Sequence, residues 1–466
     1  MSLTQSKCSE MLLKVSAALD QVGIQWCIPS GYETYPEYID PSGDVDIIVE
    51  PHSVVDVAKV MANLPDIKVM QYWLHGAIAV RYEIVSYTDE RAPVLLGIDV
   101  WSGFGNLGAV FMCAEEFLNK RRRFKEVFWI TDPATEFAYS LLKGLAKSIY
   151  LAPFDARRGV RLSELYRQDP QGCFRQLARF FPEVEARLIA DVAAGGQWEP
   201  VCTRSTRLFK TLLRKVEWEH PLNVLRYWVG DLRRRLRRIA QPVGLMVAFL
   251  GPDGAGKSTL IARVKQDLPR QVFEFVKSYH LRPYLGGVER EPGGVRGPYA
   301  KPPRGAILSL AKLGLLWVDY TVGYFVAILP CLVRLTFVLF DRYYHDLLVD
   351  QRRYRYGGPL GLARFVGRCV PQPHLVILLD APPEVLQARK QDVTFEEAVR
   401  QREAYLRLVR SLPNGYVVDA SRPLDNVANE IEWIILDYMA ERTAHRLGLK
   451  GNRWTGRHLF FGEHPS

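Results

Sequence analysis

The sequence predicts an α/β protein of more than one domain, with a parallel sheet covered by helices in its C-terminal part. The chain has 466 residues, more than a single hydrophobic core usually serves. From residue 243 onwards, short apolar segments alternate with helical segments, an order typical of parallel sheets with helices on both faces. A glycine-rich loop at 251–256 joins one of these apolar segments to a helix.

Composition narrows the classes of protein that the chain can represent. The apolar fraction of 48% is ordinary for a globular protein, and the net charge of +10 favours anionic partners. Such partners could be nucleotides, nucleic acid or a membrane surface, although we expect no stable binding of nucleic acid. The seven cysteines form no C-x-x-C pair, which argues against a zinc site or a disulfide scaffold. The N-terminus has no signal-peptide pattern, so we expect a cytoplasmic protein.

The chain divides into three predicted regions. Residues 1–131 form an α+β domain, residues 132–242 a helical extension that ends in a basic helix, and residues 243–466 the second α/β domain. We place the boundary at Gln241-Pro242, because proline cannot continue a helix and an apolar strand follows.

Two strands of the first region carry acidic residues. Asp44 and Asp46 are two residues apart on a predicted strand, so their side chains point to the same face. Asp99 lies inside another apolar strand, where a carboxylate is costly unless it is paired or bound to a metal. The three carboxylates predict a site for two metal ions, a clamp used in phosphoryl and nucleotidyl transfer. The alternative is structural, with Asp44 in a turn, Asp46 on an edge strand and Asp99 at a bend.

With this pattern of Asp-x-Asp on one strand and a third acid on a later strand, the first region resembles the DNA polymerase β-like nucleotidyltransferase superfamily. The resemblance implies that Asp44, Asp46 and Asp99 are metal ligands. The family's Gly-Ser turn is replaced here by Ser30-Gly31, so the resemblance does not extend to the serine that holds a triphosphate. We predict that four residues on the intervening strands are wall or surface residues; they are Tyr72, His75, Arg81 and Tyr82.

The middle region is predicted to be helical. Proline at the first turn and an early acidic residue favour a helix that starts at Asp132-Pro133. Lys143 and Lys147 are four residues apart and would share a face of that helix, which favours a solvated face over a phosphate site. The segment 231–239 places five arginines around an apolar stripe. It is interpreted as a linker helix between domains, or as a helix that lies on an anionic membrane or on nucleic acid.

The segment 245–259 satisfies the pattern G-x-x-x-x-G-K-[ST] after an apolar strand and before a helix, which predicts a phosphate-binding loop. Glycines allow backbone N–H groups to surround phosphate oxygens, and the helix N-terminus adds positive charge. Lys257 is predicted to reach the β- and γ-phosphates of a nucleotide, and Ser258 to hold Mg²⁺.

Further acidic residues follow at the ends of later strands. Asp341-Arg342 and Asp380 both end apolar segments, and the carboxyl ends of parallel strands are where open sheets bind ligands. Residues 283–305 form a basic loop rich in proline and glycine that could close over phosphates. The apolar segment 308–339 is interrupted by charged residues and Pro330, which favours one or two buried helices over a membrane-associated hairpin.

Residues 245–440 resemble the thymidylate kinase family of P-loop nucleoside-monophosphate kinases, and most closely the large two-domain members of bacteria. The resemblance rests on five motifs: GPDGAGKST, FDRYYHD, LVILLDAPPEVLQARK, RQREAYLRL and VVDASRPLDNV. It implies ATP and Mg²⁺ as cofactors and a possible homodimer. The ATP site would consist of Gly251, Asp253, Gly254, Ala255, Gly256, Lys257, Ser258 and Thr259, with residues 420–423 near the adenine.

The resemblance also implies roles around the transferred phosphoryl group. Lys257 and Arg389 would stabilise its charge, Asp253 would contact a sugar hydroxyl of the acceptor, and Asp341 with Arg342 would organise the acceptor phosphate and the metal shell. The acceptor site would include Arg282, Arg290, Asp341, Arg342 and Tyr343. Either Arg282 or Arg290 could hold the acceptor phosphate, since the family's Arg-Glu-Pro-Gly-Gly begins here at Arg290, later than usual.

We therefore expect ATP-dependent phosphoryl transfer to a small acceptor, with a nucleoside monophosphate such as dTMP as the first candidate. The alternatives are a kinase for a non-nucleotide metabolite such as a sugar, a nucleotidyltransferase that uses the Asp44, Asp46 and Asp99 site, and a protein that only senses ATP. Membrane-surface contact is possible through 231–239 or 308–339.

Overall fold

The computed structural model of the chain describes residues 3–40, 43–74, 78–86, 93–149, 154, 156–219, 221–267, 272–283, 302–390 and 393–449. These residues form two compact units. The first unit runs to Leu236 and takes in a C-terminal stretch that begins at Met439, and the second runs from Arg237 to Tyr438. Each unit contains one five-stranded sheet.

The sheet of the first unit is mixed and has the strand order β1-β2-β5-β4-β3. Its strands are β1 (Trp26–Cys27), β2 (Asp44–Val49), β3 (Ile67–Leu74), β4 (Ala79–Ser86) and β5 (Val94–Trp101). The neighbours β2 and β5 run parallel, and the other pairs are antiparallel. The register of β2 against β5 pairs Asp46 with Asp99, so two of the predicted metal ligands lie side by side.

Two helices, α1 (Leu3–Val22) and α2 (Val54–Ala62), bury apolar residues against this sheet. Met11, Val15 and Leu19 recur every four residues on α1 and are all buried, as expected for one face of an amphipathic helix. A 3-10 turn at Pro51–Ser53 leads into α2. The sheet face that these helices cover fixes the register of its strands, because a shift of one residue would turn the apolar side chains of a strand towards water.

The rest of the first unit consists of two hairpins and a helical region. The hairpins are formed by β6 (Gly103–Asn106) with β7 (Ala109–Cys113) and by β8 (Arg122–Phe124) with β9 (Phe128–Ile130). The helices are α3 (Ala114–Leu118), α4 (Pro133–Lys147), α5 (Ala156–Gln168), α6 (Pro170–Phe180), α7 (Glu183–Gly195), α8 (Glu199–Glu219) and α9 (Pro221–Ala240). The Asp132 side chain caps α4 by accepting the backbone N–H groups of Ala134 and Thr135.

The sheet of the second unit is entirely parallel, with the order β11-β12-β10-β13-β14. The strands are β10 (Leu245–Leu250), β11 (Phe275–His280), β12 (Thr336–Asp341), β13 (Leu375–Asp380) and β14 (Gly415–Asp419). All six residues of the central strand β10 are buried, as expected for a strand with helices on both faces. The parallel α/β sheet predicted for this region is therefore confirmed.

Eight helices of the second unit lie within its described residues. They are α10 (Lys257–Asp267), α11 (Ala306–Gly323), α12 (Leu329–Val333), α13 (His345–Val349), α14 (Leu360–Cys369), α15 (Pro383–Arg389), α16 (Phe395–Arg410) and α17 (Leu424–Leu447). The last helix begins in the second unit and ends in the first, where Thr443 donates a hydrogen bond to the Met70 carbonyl at 2.9 Å. Within the described residues, 439–449 therefore group with the first unit, although all of 243–466 was predicted as one domain.

The apolar segment predicted as one or two buried helices forms α11, a π-helical turn at Tyr324–Ile328 and α12 without interruption. The π turn directly precedes Pro330, which has no N–H to donate to the preceding turn. Among the described residues, only this helix is long and apolar enough to cross a membrane, and 28% of its most apolar window is buried. Most of this helix is therefore exposed, and the prediction of one or two buried helices is wrong for most of its length.

Candidate active site

The glycine-rich loop follows the central strand of the second unit and leads into α10. Gly251, Gly254 and Gly256 have φ values of 145°, 85° and 80°, which L-residues rarely adopt. A Cβ on Gly251 would lie 2.7 Å from the Leu379 carbonyl oxygen, whereas nothing lies within 4 Å of one on Gly256. The loop is thus packed against β13 at its start and open at its end, where the N-terminus of α10 offers backbone N–H groups to a phosphate.

Lys257 is buried beneath this loop. Its ammonium group donates hydrogen bonds to the carbonyl oxygens of Gly251 at 2.8 Å and Pro252 at 2.7 Å. Burial, with a further contribution from the charge of Arg342, lowers the pKa of Lys257 to about 7. A phosphate at the open end of the loop would be a negatively charged partner for the Lys257 ammonium group and would favour its protonated form. Lys257 is therefore suited to an anionic ligand.

Ser258 and Thr259 follow at the start of α10 and are exposed. Asp341 ends the neighbouring strand β12 and stands in register with Phe249. Burial by itself would raise the pKa of Asp341, but its hydrogen bond with His280 and the charge of Lys257 lower it. Its Oδ1 atom is buried and accepts no hydrogen bond from the described residues. The exposed hydroxyl of Ser258 and the ionised carboxylate of Asp341, with its unused oxygen, are oxygen ligands of the kind that Mg²⁺ prefers.

Asp253 lies within the glycine loop and is held by two arginines. It accepts hydrogen bonds from Arg342, at 2.5 Å, and from Arg353. Burial alone would raise the pKa of Asp253, but the charges of Arg342 and Arg353 lower it to about 2. Asp253 is therefore a carboxylate at any physiological pH, and the two guanidinium groups fix its orientation.

Arg342 connects this carboxylate to a buried network. It adopts a φ of 70°, rare for a non-glycine residue, and its backbone N–H bonds the Phe249 carbonyl at 3.0 Å. Its side chain also donates to Asp346 at 2.6 Å, and Asp346 accepts hydrogen bonds from the hydroxyls of Tyr354 and Tyr405. Burial opposes the charge of Arg342, but Asp346 raises the pKa of the guanidinium. The network fixes one arginine at the end of the sheet beside the glycine loop.

Two further candidate residues, Arg389 and Asp380, are bonded to groups outside the glycine loop. Arg389 donates to the Ala420 carbonyl at 3.1 Å, which links α15 to the residues predicted near adenine. Asp380, a further candidate for a metal-associated carboxylate, accepts two hydrogen bonds of 2.7 Å from Arg402. This bidentate pair gives Asp380 a structural partner.

The predicted acceptor-binding residues are only partly brought together. Arg342 lies at the loop, as described, and Arg282 pairs with Asp319 at 2.5 Å on α11. Tyr343 is fully buried, packs edge-on against Phe340 and donates to the Pro371 carbonyl at 2.6 Å. This placement contradicts its prediction as an acceptor ligand, because its hydroxyl and ring are both used in the core. Arg290 and His75 lie outside the described residues.

The three acidic residues predicted as metal ligands lie close together in the first unit. Asp44, Asp46 and Asp99 each offer a carboxylate oxygen that lies within 4.8 Å of the other two. Asp99 is buried, and burial together with its hydrogen bond to Asp44 raises the pKa of Asp99 to about 8. Three acidic groups this close do not all ionise easily, and a divalent cation would stabilise their charged forms.

Two cations of the chain already contact this acidic site. Lys143 of α4 pairs with Asp46 and lies 3.0 Å from the Tyr139 hydroxyl. Arg81, predicted as a wall or surface residue, lies 3.3 Å from Asp44 and 2.7 Å from Glu83. Lys143 was expected on a solvated face, so that interpretation is wrong. Its helical spacing with Lys147 indicated a shared face but not what the face contacts.

Sequence analysis missed Arg353, Asp346 and Tyr405, and it named Lys143 without its partner. Arg353, Tyr405 and Lys143 each contact a residue at least 59 positions away in the chain, whereas Asp346 accepts from Arg342, four positions before it. The available signal for Arg353 was the pair of arginines at 352–353, which follows Asp350 directly after Gln351.

Comparison with known proteins gives the family. No protein-family model matches the chain. The chain is 32% identical over 215 residues to a probable thymidylate kinase of Pyrobaculum calidifontis, a match that covers 42% of this chain and 98% of that protein. It is 29% identical over 220 residues to a thymidylate kinase of Symbiobacterium thermophilum, covering 43% of this chain and 96% of that protein. A thymidylate kinase of Xanthomonas oryzae pv. oryzae is 30% identical over 215 residues, with coverages of 43% and 87%. Because one relative is matched over nearly its whole length at this identity, the chain belongs to the thymidylate kinase family.

Proposed function

We propose that the second unit transfers the γ-phosphoryl group of ATP to a nucleoside monophosphate, and that dTMP is the acceptor. One observation carries this proposal: a glycine loop on the central parallel strand whose aspartate, Asp253, is held by Arg342 and Arg353 at the carboxyl end of the sheet. Family membership supports the same reaction. The open sheet edge is the position at which α/β proteins bind ligands.

The residues of the loop divide the work of holding ATP. Backbone N–H groups from Gly254 to Thr259 would surround the β- and γ-phosphates, and Lys257 would exchange its two carbonyl partners for phosphate oxygens. Ser258 and Asp341 would hold Mg²⁺, which supplies charge neutralisation at the transferring phosphoryl group. Arg389, beside Ala420, would approach the donor phosphates from α15.

The acceptor would lie on the other side of the transferred group. Asp253 is ionised and oriented, so it can accept a hydrogen bond from a sugar hydroxyl, and Arg342 can face the acceptor phosphate. Arg282 is a second candidate for that phosphate if it leaves Asp319. The chemistry requires positioning and charge stabilisation and little covalent work by the protein.

The test is ADP release by the purified chain with Mg-ATP and dTMP, compared with other nucleoside monophosphates and with simple sugars. Lys257→Ala removes the phosphate ligand. Lys265→Ala, two turns further along α10 and bonded to Ser278, is the matched control. We expect release with dTMP that Lys257→Ala abolishes and Lys265→Ala retains. Release with a sugar alone, or no release above the Lys257→Ala background, would refute dTMP as the acceptor.

We propose a second, metal-dependent nucleotidyl transfer at the acidic site of the first unit. The observation that favours it is the approach of the Asp44, Asp46 and Asp99 oxygens to within 4.8 Å, on neighbouring parallel strands. Two metal ions held there could help an acceptor hydroxyl attack the α-phosphorus of a nucleoside triphosphate and could stabilise the pyrophosphate that leaves. Incorporation of labelled nucleotide into an acceptor should stop in Asp46→Asn and continue in Lys257→Ala. The opposite pattern would assign all turnover to the second unit.

A further inference from the structure

The helix α9 carries a row of large apolar side chains that faces solvent. Six of them are between 41% and 69% exposed: Leu222, Leu225, Val229, Leu232, Leu236 and Ile239. Their spacing of three or four residues places them on one side of the helix. We call this row the apolar stripe of α9. Single exposed apolar residues are common, but an unbroken row over five turns indicates an interaction surface.

The side of α9 that faces away from the stripe is less exposed. Asp231 there is 7% exposed and pairs within the helix with Arg234 at 2.6 Å and Arg235 at 2.8 Å. Val224 and Trp228 approach the first unit at Gly108, where a Cβ would lie 3.5 Å from Val224 Cγ1 and 2.8 Å from the indole nitrogen. Trp228 stands at the margin of the stripe and is still 47% exposed. One side of the helix is thus the less exposed one, and the apolar stripe faces outward.

Positive charge borders the stripe. The helix contains six arginines and one acidic residue, Asp231. At about 3.6 residues per turn, Arg226, Arg233 and Arg237 fall along one margin of the stripe and Arg235 along the other. Long arginine side chains can keep their aliphatic parts on an apolar surface while their guanidinium groups reach outward to anions.

The apolar stripe of α9 and the arginines along its margins together favour one kind of partner. Nucleic acid would satisfy the arginines but would leave the leucines in water. A second copy of the chain would cover the leucines but would bring two rows of arginines together, which costs free energy. An anionic bilayer covers the apolar stripe with acyl chains and places phosphate groups at its margins.

We propose that α9 docks the protein on the surface of an anionic phospholipid bilayer, lying parallel to that surface with the apolar stripe among the acyl chains. The occupant is the bilayer itself, and no membrane crossing is involved. The proposal is independent of the phosphoryl transfer proposed above, because none of the α9 residues contributes to that site. Its consequence is that the enzyme would act at a membrane surface.

The test is flotation of the full chain with vesicles of phosphatidylglycerol and phosphatidylcholine, against vesicles of phosphatidylcholine alone. We expect binding only to the anionic vesicles, and weaker binding as salt is raised. Leu232→Glu with Leu236→Glu should abolish it, whereas Val184→Glu, on an exposed site of α7, should not change it. Arg233→Gln with Arg237→Gln should weaken it about tenfold or more at low salt.

Several outcomes would overturn the proposal. They are absence of binding by the unmodified chain, unchanged binding by the double leucine variant, or loss of binding on Leu315→Glu in α11 with α9 intact. A dimer that the leucine variant converts to a monomer, without any vesicle binding, would assign the stripe to a second copy. Circular dichroism of each variant shows whether it is folded, and ADP release checks the second unit independently.

Discussion

Arg353 donates a hydrogen bond to Asp253, although 100 residues separate the two along the chain. Asp350 accepts the backbone N–H of Arg353 at 3.0 Å and lies 3.3 Å from its guanidinium, so the arginine is oriented from its own turn. The glycine loop is therefore tied to the segment that follows α13. A movement of this segment would therefore change the orientation of Asp253, which the proposed function places between donor and acceptor.

Arg353→Gln should lower the rate of phosphoryl transfer more than it lowers stability. A charge-assisted hydrogen bond is worth about 1.5–3 kcal/mol, which corresponds to about tenfold or more in rate if Asp253 is released from its orientation. Arg352→Gln changes the exposed neighbouring arginine and is the matched control. The measurement is kcat/KM for ADP release. Equal rates in both variants would mean that Arg342 alone orients Asp253.

The pKa of Asp253 leads to a prediction about acid stability. Its value falls from 3.8 to about 2 in the folded chain, because the charges of Arg342 and Arg353 outweigh the effect of burial. A lowered carboxyl pKa stabilises the fold above pH 4 and loses this effect as pH falls towards 2. The full contribution of this pKa shift to the free energy of unfolding is about 2.5 kcal/mol at pH 7, and about half of it should remain at pH 3.

Urea unfolding of the unmodified chain and of Asp253→Asn, followed by circular dichroism at pH 7 and pH 3, measures this contribution as a difference. The difference in free energy of unfolding should shrink by about half between the two pH values. A difference that stays constant would show that the arginines do not depend on the charge of Asp253.

Asp346 is the central acceptor of the buried network, because Arg342, Tyr354 and Tyr405 all donate to it. Asp346→Ala should destabilise the second unit by about 3–5 kcal/mol, since it deprives a buried guanidinium of its nearest counter-charge. Tyr405→Phe removes one donor and should cost about 1 kcal/mol. Asp425→Ala, in an exposed pair with Arg263, should leave the thermal midpoint unchanged. A loss in Asp346→Ala no larger than in Tyr405→Phe would indicate that Asp253 suffices to hold Arg342.

The sequence was enough to locate residues whose chemistry is local. The glycine loop is contiguous, and its strand and helix can be recognised from apolar spacing alone. The pairing of Asp46 with Asp99 also follows from two acids on two apolar strands, once those strands are neighbours. Arg353 and Tyr405 could not be assigned, because their roles depend on partners 100 and 59 residues away.

Burial was the other quantity that spacing could not supply. The helix from Ala306 to Val333 has apolar residues on its exposed side as well as on its buried side, so its sequence does not reveal how much of it is covered. Tyr343 shows the converse: its position next to Asp341-Arg342 suggested a binding role, but its ring fills the core. Neighbours in a motif can point to opposite sides of the same strand end.

The pairing of Lys143 with Asp46 yields a prediction about metal binding. An ammonium group paired with one of three clustered carboxylates competes with a divalent cation for that oxygen. Lys143→Met removes the competitor, and Mn²⁺ should then bind about tenfold or more tightly, if the pair is worth about 1.5–3 kcal/mol. Lys147→Met, one turn further on α4, should raise Mn²⁺ affinity much less, because the charge of Lys147 acts on Asp44 and Asp46 at longer range.

Titration of Mn²⁺ by electron paramagnetic resonance, without nucleotide, reports the free ion directly. Asp46→Asn should weaken binding in the presence or absence of Lys143, because it removes a ligand rather than a competitor. Tighter binding in Lys143→Met, lost again when Asp46→Asn is added, would identify the acidic site as the place of binding. If Lys143→Met instead weakens Mn²⁺ binding, the lysine supports the carboxylates, and the cluster is a structural ion-pair network rather than a metal site.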